Sequence, residues 1–286
     1  MTEGADPGRG SRILADLRGS GGGPRSVWIA LASTVVFVGI IVALIVTSAG
    51  WPAVKAAFFN RQVFDESWRE IAHAFLLNIR IFLIAEVFIL VFALAIAVLR
   101  SVPGPVFFPI RALAVVYVDL FRGIPTILVI YILGFGVPAL QLPHVPIDPL
   151  FWGVVSLVLV YSAYVSEVYR AGIESVHPSQ AAAARSLGLT HGQALRFVVV
   201  PQAVRRVIPP LLNDFIGLQK DTALVGTLGV VEAFNQSQIY SNATFTYGSY
   251  LAAAALFVAI TIPLARFTDW LIARDRRRRQ AAGGFA

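Results

Sequence analysis

The chain has 286 residues, of which 57% are hydrophobic and only 14% charged, against about a quarter charged in a soluble domain; its mean hydropathy is +0.74. That balance excludes an ordinary soluble domain and describes a multi-span membrane protein, with length enough for about six spans of ~20 apolar residues. The net charge of +7 fits basic cytoplasmic loops better than nucleic-acid binding, and the absence of cysteine excludes disulfides and thiolate-held metals.

Residues 1–26 are polar and rich in Gly, Ser and Arg, and read as a disordered cytoplasmic tail. The run 27–48 is longer than the about 7–15 residues of a signal-peptide core. It reads as an extra, retained N-terminal span rather than a leader cleaved after Ala49. Residues 50–68 mix Trp51, Pro52, Lys55, Arg61, Asp65 and Glu66 with aromatics and read as an external interfacial loop. The second span, 69–100, exceeds a ~30 Å core at ~1.5 Å per residue and must tilt or protrude. Ser101 to Pro105 is a tight turn. A third span covers 107–137, and the four prolines of 138–149 break any helix there. The fourth span is 150–176, followed by a polar loop, 177–206. The fifth is 207–231. A second external loop, 232–247, is rich in Asn, Gln, Ser and Thr. The sixth, 248–273, leads into a basic tail, 274–286.

Charge sets the expected orientation. Arg9, Arg12, Arg18, Arg25, Arg100, Arg111, the loop arginines and the terminal arginine cluster share one side. The loops 50–68, 138–149 and 232–247 share the other and are near neutral or acidic. The positive-inside rule then places both termini and the 177–206 loop in the cytoplasm. The terminal arginines suit anionic lipid headgroups better than nucleic acid.

The 177–206 loop carries four arginines and no acidic residue. Pro178 and Ser179 suit a helix start, and alanines 181–184 favour the helix that follows. Gly188 suits the left-handed position that ends it. Thr190 and Gln193 have capping-box spacing, so a second helix starts there. Two short helices at a glycine corner form either a docking knob with Leu187 and Leu189 as anchors, or an interfacial helix lying against lipid headgroups.

The run Gln180, Ala181, Ala182, Ala183, Ala184, Arg185, Ser186, Leu187, Gly188, with Val200-Pro201-Gln202-Ala203 after it, resembles the EAA loop of ABC-importer permeases. The stretches 163–176, 218–225 and Phe121-Arg-Gly-Ile-Pro-Thr-Ile-Leu128 resemble the polar amino-acid subfamily, and the likeness covers about residues 70–270. It implies an all-α membrane protein with the type I importer permease fold and a permease core at 69–273. In the family this loop is the coupling helix that docks on the ATP-binding subunit, which assigns docking to Gln180, Ala181, Ala182, Ala183, Ala184, Arg185, Leu187, Gly188 and Leu189. This chain has alanine where the family usually has glutamate, which removes one salt bridge to the ATPase.

The resemblance also implies two ATP-binding cassette subunits, a second permease that is identical or related, an extracytoplasmic solute-binding protein, and a bacterial plasma-membrane location. The two lysines, Lys55 and Lys220, end no phosphate-binding loop. ATP and Mg²⁺ are therefore expected on the partner, with no cofactor, no metal and no catalytic residue in this chain.

Ionisable residues at membrane depth are functional candidates because each is costly unless paired or hydrated. They are Arg80, Glu86, Asp119, Arg122, Glu167, Arg170, Asp214, Lys220 and Asp221. Asp119/Arg122 and Glu167/Arg170 stand at i, i+3 and suit self-contained ion pairs. Lys220 and Asp221 are adjacent, diverge, and need other partners. A zwitterionic amino acid offers both charges, so Arg122, Lys220, Asp221 and Glu167 are the substrate-path candidates. Gly123 to Pro125 and Pro209-Pro210 are expected helix breaks near that path. Alternatives are an importer of another small solute, a stand-alone ion-coupled transporter, which predicts an inverted repeat not seen here, and a membrane-embedded enzyme or scaffold, which no paired carboxylates, nucleophile elbow or metal-ligand spacing supports.

Overall fold

The computed structural model describes residues 24–102 and 104–283. Among them every regular element is helical. The chain divides into two units, Arg61–Thr268 and a second made of the residues up to 60 and from 269 onward. The expected tail at 1–26 lies outside the described residues except for 24–26, which open a helix.

In the smaller unit, α1 (Pro24–Val46) covers most of the stretch read as an extra span, and α2 (Trp51–Phe58) follows after a short turn. The expected loop at 50–68 is therefore largely helical. Pro52 in its first turn loses only an N–H that a helix leaves unpaired.

The larger unit is organised by α3 (Arg61–Ser101), about 60 Å long at 1.5 Å per residue. Its buried positions, Val63, Ser67, Ile71, Phe75, Asn78, Ile81, Phe82, Ala85, Ile89, Ala93 and Ala97, follow three- and four-residue steps and draw one stripe down the helix. The lower stripe packs on α6 (Pro149–Glu174), where Leu157, Val158 and Val165 meet Ile81, Ala85 and Ile89. Small residues there bring the two backbones close, as membrane helix pairs require. The upper stripe, Ile71 and Phe75, packs on Ala233, Ala252 and Ala253.

After α3 come α4 (Phe108–Gly123) and α5 (Thr126–Ala139), which meet at a 106° bend. The expected third span is thus a broken pair. Ile124 is extended and Pro125, which lacks an N–H, opens α5. After α6 come α7 (Pro178–Ser186) and α8 (His191–Ala194). A π-turn, Leu195–Val199, joins α8 to α9 (Val200–Asp221), and a 3₁₀ stretch covers Thr222–Leu228. α10 (Ala233–Thr244) occupies the expected outer loop, and α11 (Gly248–Gly283) carries the last span and enters the smaller unit.

Among the described residues, four helical stretches are long and apolar enough to cross a membrane, Val27–Val46, Trp51–Arg100, Pro149–Glu174 and Gly248–Arg274, and the bent pair makes up to five. The segment read as the fifth span, 207–231, is instead the end of α9 and the 3₁₀ stretch. Asp214, Lys220 and Asp221 lower its apolar content. The expected break at Pro209-Pro210 is absent, since α9 runs through both prolines.

Candidate functional site

The polar loop is built from local capping. His177, not Ser179, caps α7: its Nδ1 accepts from the Ser179 N–H at 3.2 Å. Pro178 takes the first helical position, where its missing N–H costs nothing. At the other end Gly188 has φ of +88°. Its N–H donates to the Arg185 carbonyl at 3.0 Å, and the Leu189 N–H reaches the Ala184 carbonyl at 3.2 Å, a Schellman closure. The capping box forms as expected: Gln193 N–H donates to Thr190 Oγ1 at 3.3 Å, and Thr190 N–H to Gln193 Oε1 at 2.9 Å. The π-turn follows because Pro201 has no N–H and its ring crowds the Phe197 carbonyl. The Val200 N–H reaches back to Leu195 instead.

These caps fix which side chains face out. Ala184 is buried, Ala181 packs against Val176, Val199 and Ala203, and Leu189 is half-buried. Gln180, Ala182, Ala183, Arg185, Leu187 and Gly188 are exposed, with Leu187 at 83%. The Arg206 guanidinium donates to the Ser175 carbonyl and so staples the two ends of the loop together.

Directly under that staple lies a cavity of about 430 Å³ lined by α4, α6 and α9. Its charged walls are Arg122, Glu167, Arg206 and Asp214, beside Tyr164 and Ser175. Glu167 is the hub. It accepts from the Arg100 guanidinium, from Arg170 Nη2 at 2.7 Å, and lies 3.7 Å from Arg122 Nη1. Arg170 also forks onto Glu174 at 2.6 and 2.7 Å. The Arg122 guanidinium stands over the Tyr164 ring, 5.7 Å from its centroid. Gly172 lets α6 and α9 close up beside the cavity, since a Cβ there would strike Val207.

A second polar centre sits near the middle of α3, at Asn78. Glu232 is fully buried and caps α10, accepting from Phe234 N–H at 2.9 Å and Asn235 N–H at 2.8 Å. Asn78 Nδ2 donates to Glu232 Oε2 at 2.8 Å and to Thr222 Oγ1 at 3.2 Å, and its Oδ1 accepts from Ala233 N–H at 3.1 Å. Burial pushes the Glu232 carboxyl above the usual range, while the Phe234 N–H, the Asn78 amide and the Asn235 N–H pull it back.

A family model described as binding-protein-dependent transport system inner membrane component matches residues 104–277. The chain belongs to that family. It is a multi-pass protein of the bacterial plasma membrane, and membership implies an ATP-binding subunit and a solute-binding protein as partners. The permease is 35% identical over 182 residues to the probable glutamine ABC transporter permease protein GlnM of Bacillus subtilis, spanning 63% of this chain and 82% of that one. It is 35% identical over 179 residues to the probable amino-acid permease protein YxeN of the same organism, covering 62% and 79%. The solved structure of an amino acid ABC transporter with histidines aligns with TM-score 0.65 and 29% identity, over 71% of this chain and 93% of that one. The permease fold read from the EAA-like loop is borne out.

Of the four substrate-path candidates, the permease brings Arg122 and Glu167 to one cavity and leaves Lys220 and Asp221 outside it. Lys220 is exposed, and Asp221 accepts from Tyr161 Oη at 2.9 Å. Glu167/Arg170 pairs as expected. Asp119/Arg122 does not appear among the ion pairs of the described residues; Arg122 turns to Glu167 instead. Arg206 and Asp214 are cavity walls not among those four, although their spacing with Pro210 (i, i+4, i+8) marks one face of α9.

Proposed function

We propose that this permease forms half of an inward path for a polar or charged amino acid, driven by ATP hydrolysed on a separate subunit. The supporting observation is the staple. Arg206 and Ser175 close the base of the loop and also line the cavity with Arg122 and Glu167. A push on α7 therefore reaches the cavity wall without passing through slack chain. The exposed residues of the coupling set, Gln180, Ala182, Ala183, Arg185, Leu187 and Gly188, meet the ATPase, and Ala181, Ala184 and Leu189 hold α7 in place. The relatives' names support an amino-acid cargo.

Two ATP-binding cassette subunits would hold ATP and Mg²⁺, and a second permease, identical or related, would complete the path. The 138–149 and 232–247 segments face an extracytoplasmic binding protein, and both termini are cytoplasmic. The chain itself needs no cofactor and binds no nucleic acid. Affinity purification of the tagged full chain from solubilised membranes tests this. An ATP-binding subunit should co-purify with the wild type, and Leu187→Asp should lose it while eluting as the same folded species. An apolar anchor of this size contributes about 1.5–3 kcal/mol when buried, so the loss should be at least tenfold. Equal recovery with both proteins refutes the docking assignment.

A further inference from the structure

We propose that the apolar cleft between α3, α4 and α6 is a binding site for an uncharged, membrane-dissolved hydrocarbon carrying one oxygen, of the terpenoid-alcohol kind, held by the Ser162 hydroxyl. The cleft is separate from the cavity beneath the coupling loop, and its ligand is independent of the cargo.

The cleft has a volume of about 720 Å³, within the ~300–1,000 Å³ of small-molecule pockets. Phe88 and Phe92 of α3, Leu113 and Tyr117 of α4, and Phe151 and Val158 of α6 are among its walls. Phe88, Phe92, Leu113 and Phe151 are exposed, so the cleft opens on an outer face of the helices. In a multi-pass membrane protein such an apolar face meets lipid, and a ligand can enter from the bilayer.

Among the described residues that line the cleft, Tyr117 and Ser162 alone have polar side chains. The Tyr117 hydroxyl donates to the Leu159 carbonyl at 2.6 Å. Ser162 is 1% exposed, and its Oγ has no hydrogen-bond partner. A serine in a helix can bond the carbonyl three or four residues back. On this same helix Ser156 donates to the Trp152 carbonyl at 2.7 Å and Ser166 to the Ala163 carbonyl at 2.8 Å. The carbonyl three residues before Ser162 is that of Leu159, which Tyr117 already holds. A buried hydroxyl without a partner is costly, and an oxygen on a ligand would pair it.

Depth decides the class of ligand. Ser162 stands near the middle of α6, about 20 Å from either end at ~1.5 Å per residue. With a hydrocarbon core ~30 Å thick, the hydroxyl lies well below the level of phospholipid head groups and esters. No charged residue is among the described walls, so a charged ligand would be left unpaired there. A hydrocarbon body with a single neutral oxygen satisfies both the walls and the serine.

The test is competition binding on the full chain in phosphatidylcholine nanodiscs. Tritiated farnesol should bind saturably. Unlabelled farnesol should displace it at a concentration about fivefold lower than farnesene, its counterpart without the hydroxyl, as one hydrogen bond predicts. Ser162→Ala should make the two competitors equal. It should not lower the melting temperature of the ligand-free protein, because it removes an unpaired hydroxyl. Tyr117→Phe frees the Leu159 carbonyl for Ser162 and should also make them equal, although Ser162 itself is unchanged. A wild type without saturable binding overturns the proposal. So does a Ser162→Ala or Tyr117→Phe protein that keeps the fivefold preference, or a ligand-free Ser162→Ala protein that melts lower. Phosphatidylglycerol displacing as well as farnesol would put an acyl chain in the cleft, and binding lost on dimerisation would make the cleft a subunit contact. Either result overturns the proposal too.

Discussion

Replacing Asn78 by alanine should be among the most damaging single changes in the larger unit. Asn78 is 1% exposed and makes three hydrogen bonds that tie α3 to the 3₁₀ stretch and to the start of α10. One of them is to a carboxylate, worth about 1.5–3 kcal/mol, and the two neutral ones are worth about 1 kcal/mol each. Their loss totals about 4 kcal/mol before any cavity term. At roughly 2–4 °C per kcal/mol for a protein of this size, the melting temperature should fall by about 10 °C in a detergent thermal-unfolding assay. Asn78→Asp refines the test. It keeps the shape but sets a second carboxylate against Glu232, and two carboxyls in one site disfavour joint ionisation. Acidification should therefore recover part of the Asn78→Asp loss and none of the Asn78→Ala loss. An Asn78→Ala protein that melts within a degree or two of wild type, or an Asn78→Asp protein indifferent to pH, would refute the view of this cluster as a structural tie.

Three further outcomes are expected. Gly172→Leu should force α6 and α9 apart where Val207 now packs, costing about 1–3 kcal/mol as overpacked cores do; thermal unfolding reads it directly, and an unchanged midpoint would contradict the close approach. Gly188→Ala must place a Cβ at φ of +88°, which costs about 1–2 kcal/mol at a position with open space around it. Its effect should appear in ATPase-coupled uptake rather than in melting of the whole chain, so normal uptake with intact coupling would count against Gly188 as the rigid corner. Glu167→Gln leaves Arg100, 14% exposed at its side chain, without its carboxylate, a change that costs about 3 kcal/mol at buried pairs. Pairing it with Arg100→Gln should recover part of that loss, and a double-mutant cycle without coupling would exclude the pair as a structural element.

What was legible in the sequence was mostly local. The Thr190–Gln193 box and the Gly188 corner involve residues three or four apart, and their chemistry leaves few other conformations. His177 was harder to read, because an imidazole cap competes with a neighbouring serine that fits the usual pattern better. α10 was missed because 232–247 is polar without helical periodicity. Its helix starts where Glu232 offers two oxygens to its first N–H groups, and Asn78, 154 residues earlier, holds that carboxylate. Nothing near residue 232 announces Asn78. The intramembrane charges show the same limit. Sequence gives their spacing along one helix, and so suggested Asp119 as the partner of Arg122. The fold brings Glu167 of another helix to Arg122 and leaves Asp119 exposed.

The cavity and the loop also meet in a way that spacing alone does not express. Arg206 belongs to both, with its charge in the cavity and one N–H on the carbonyl that ends α6. Asp214 lies two helical turns further along the same face of α9. A displacement of α7 that moved the staple would carry Arg206 and Asp214 together on α9 and shift both relative to Arg122 of α4, which lines the same cavity.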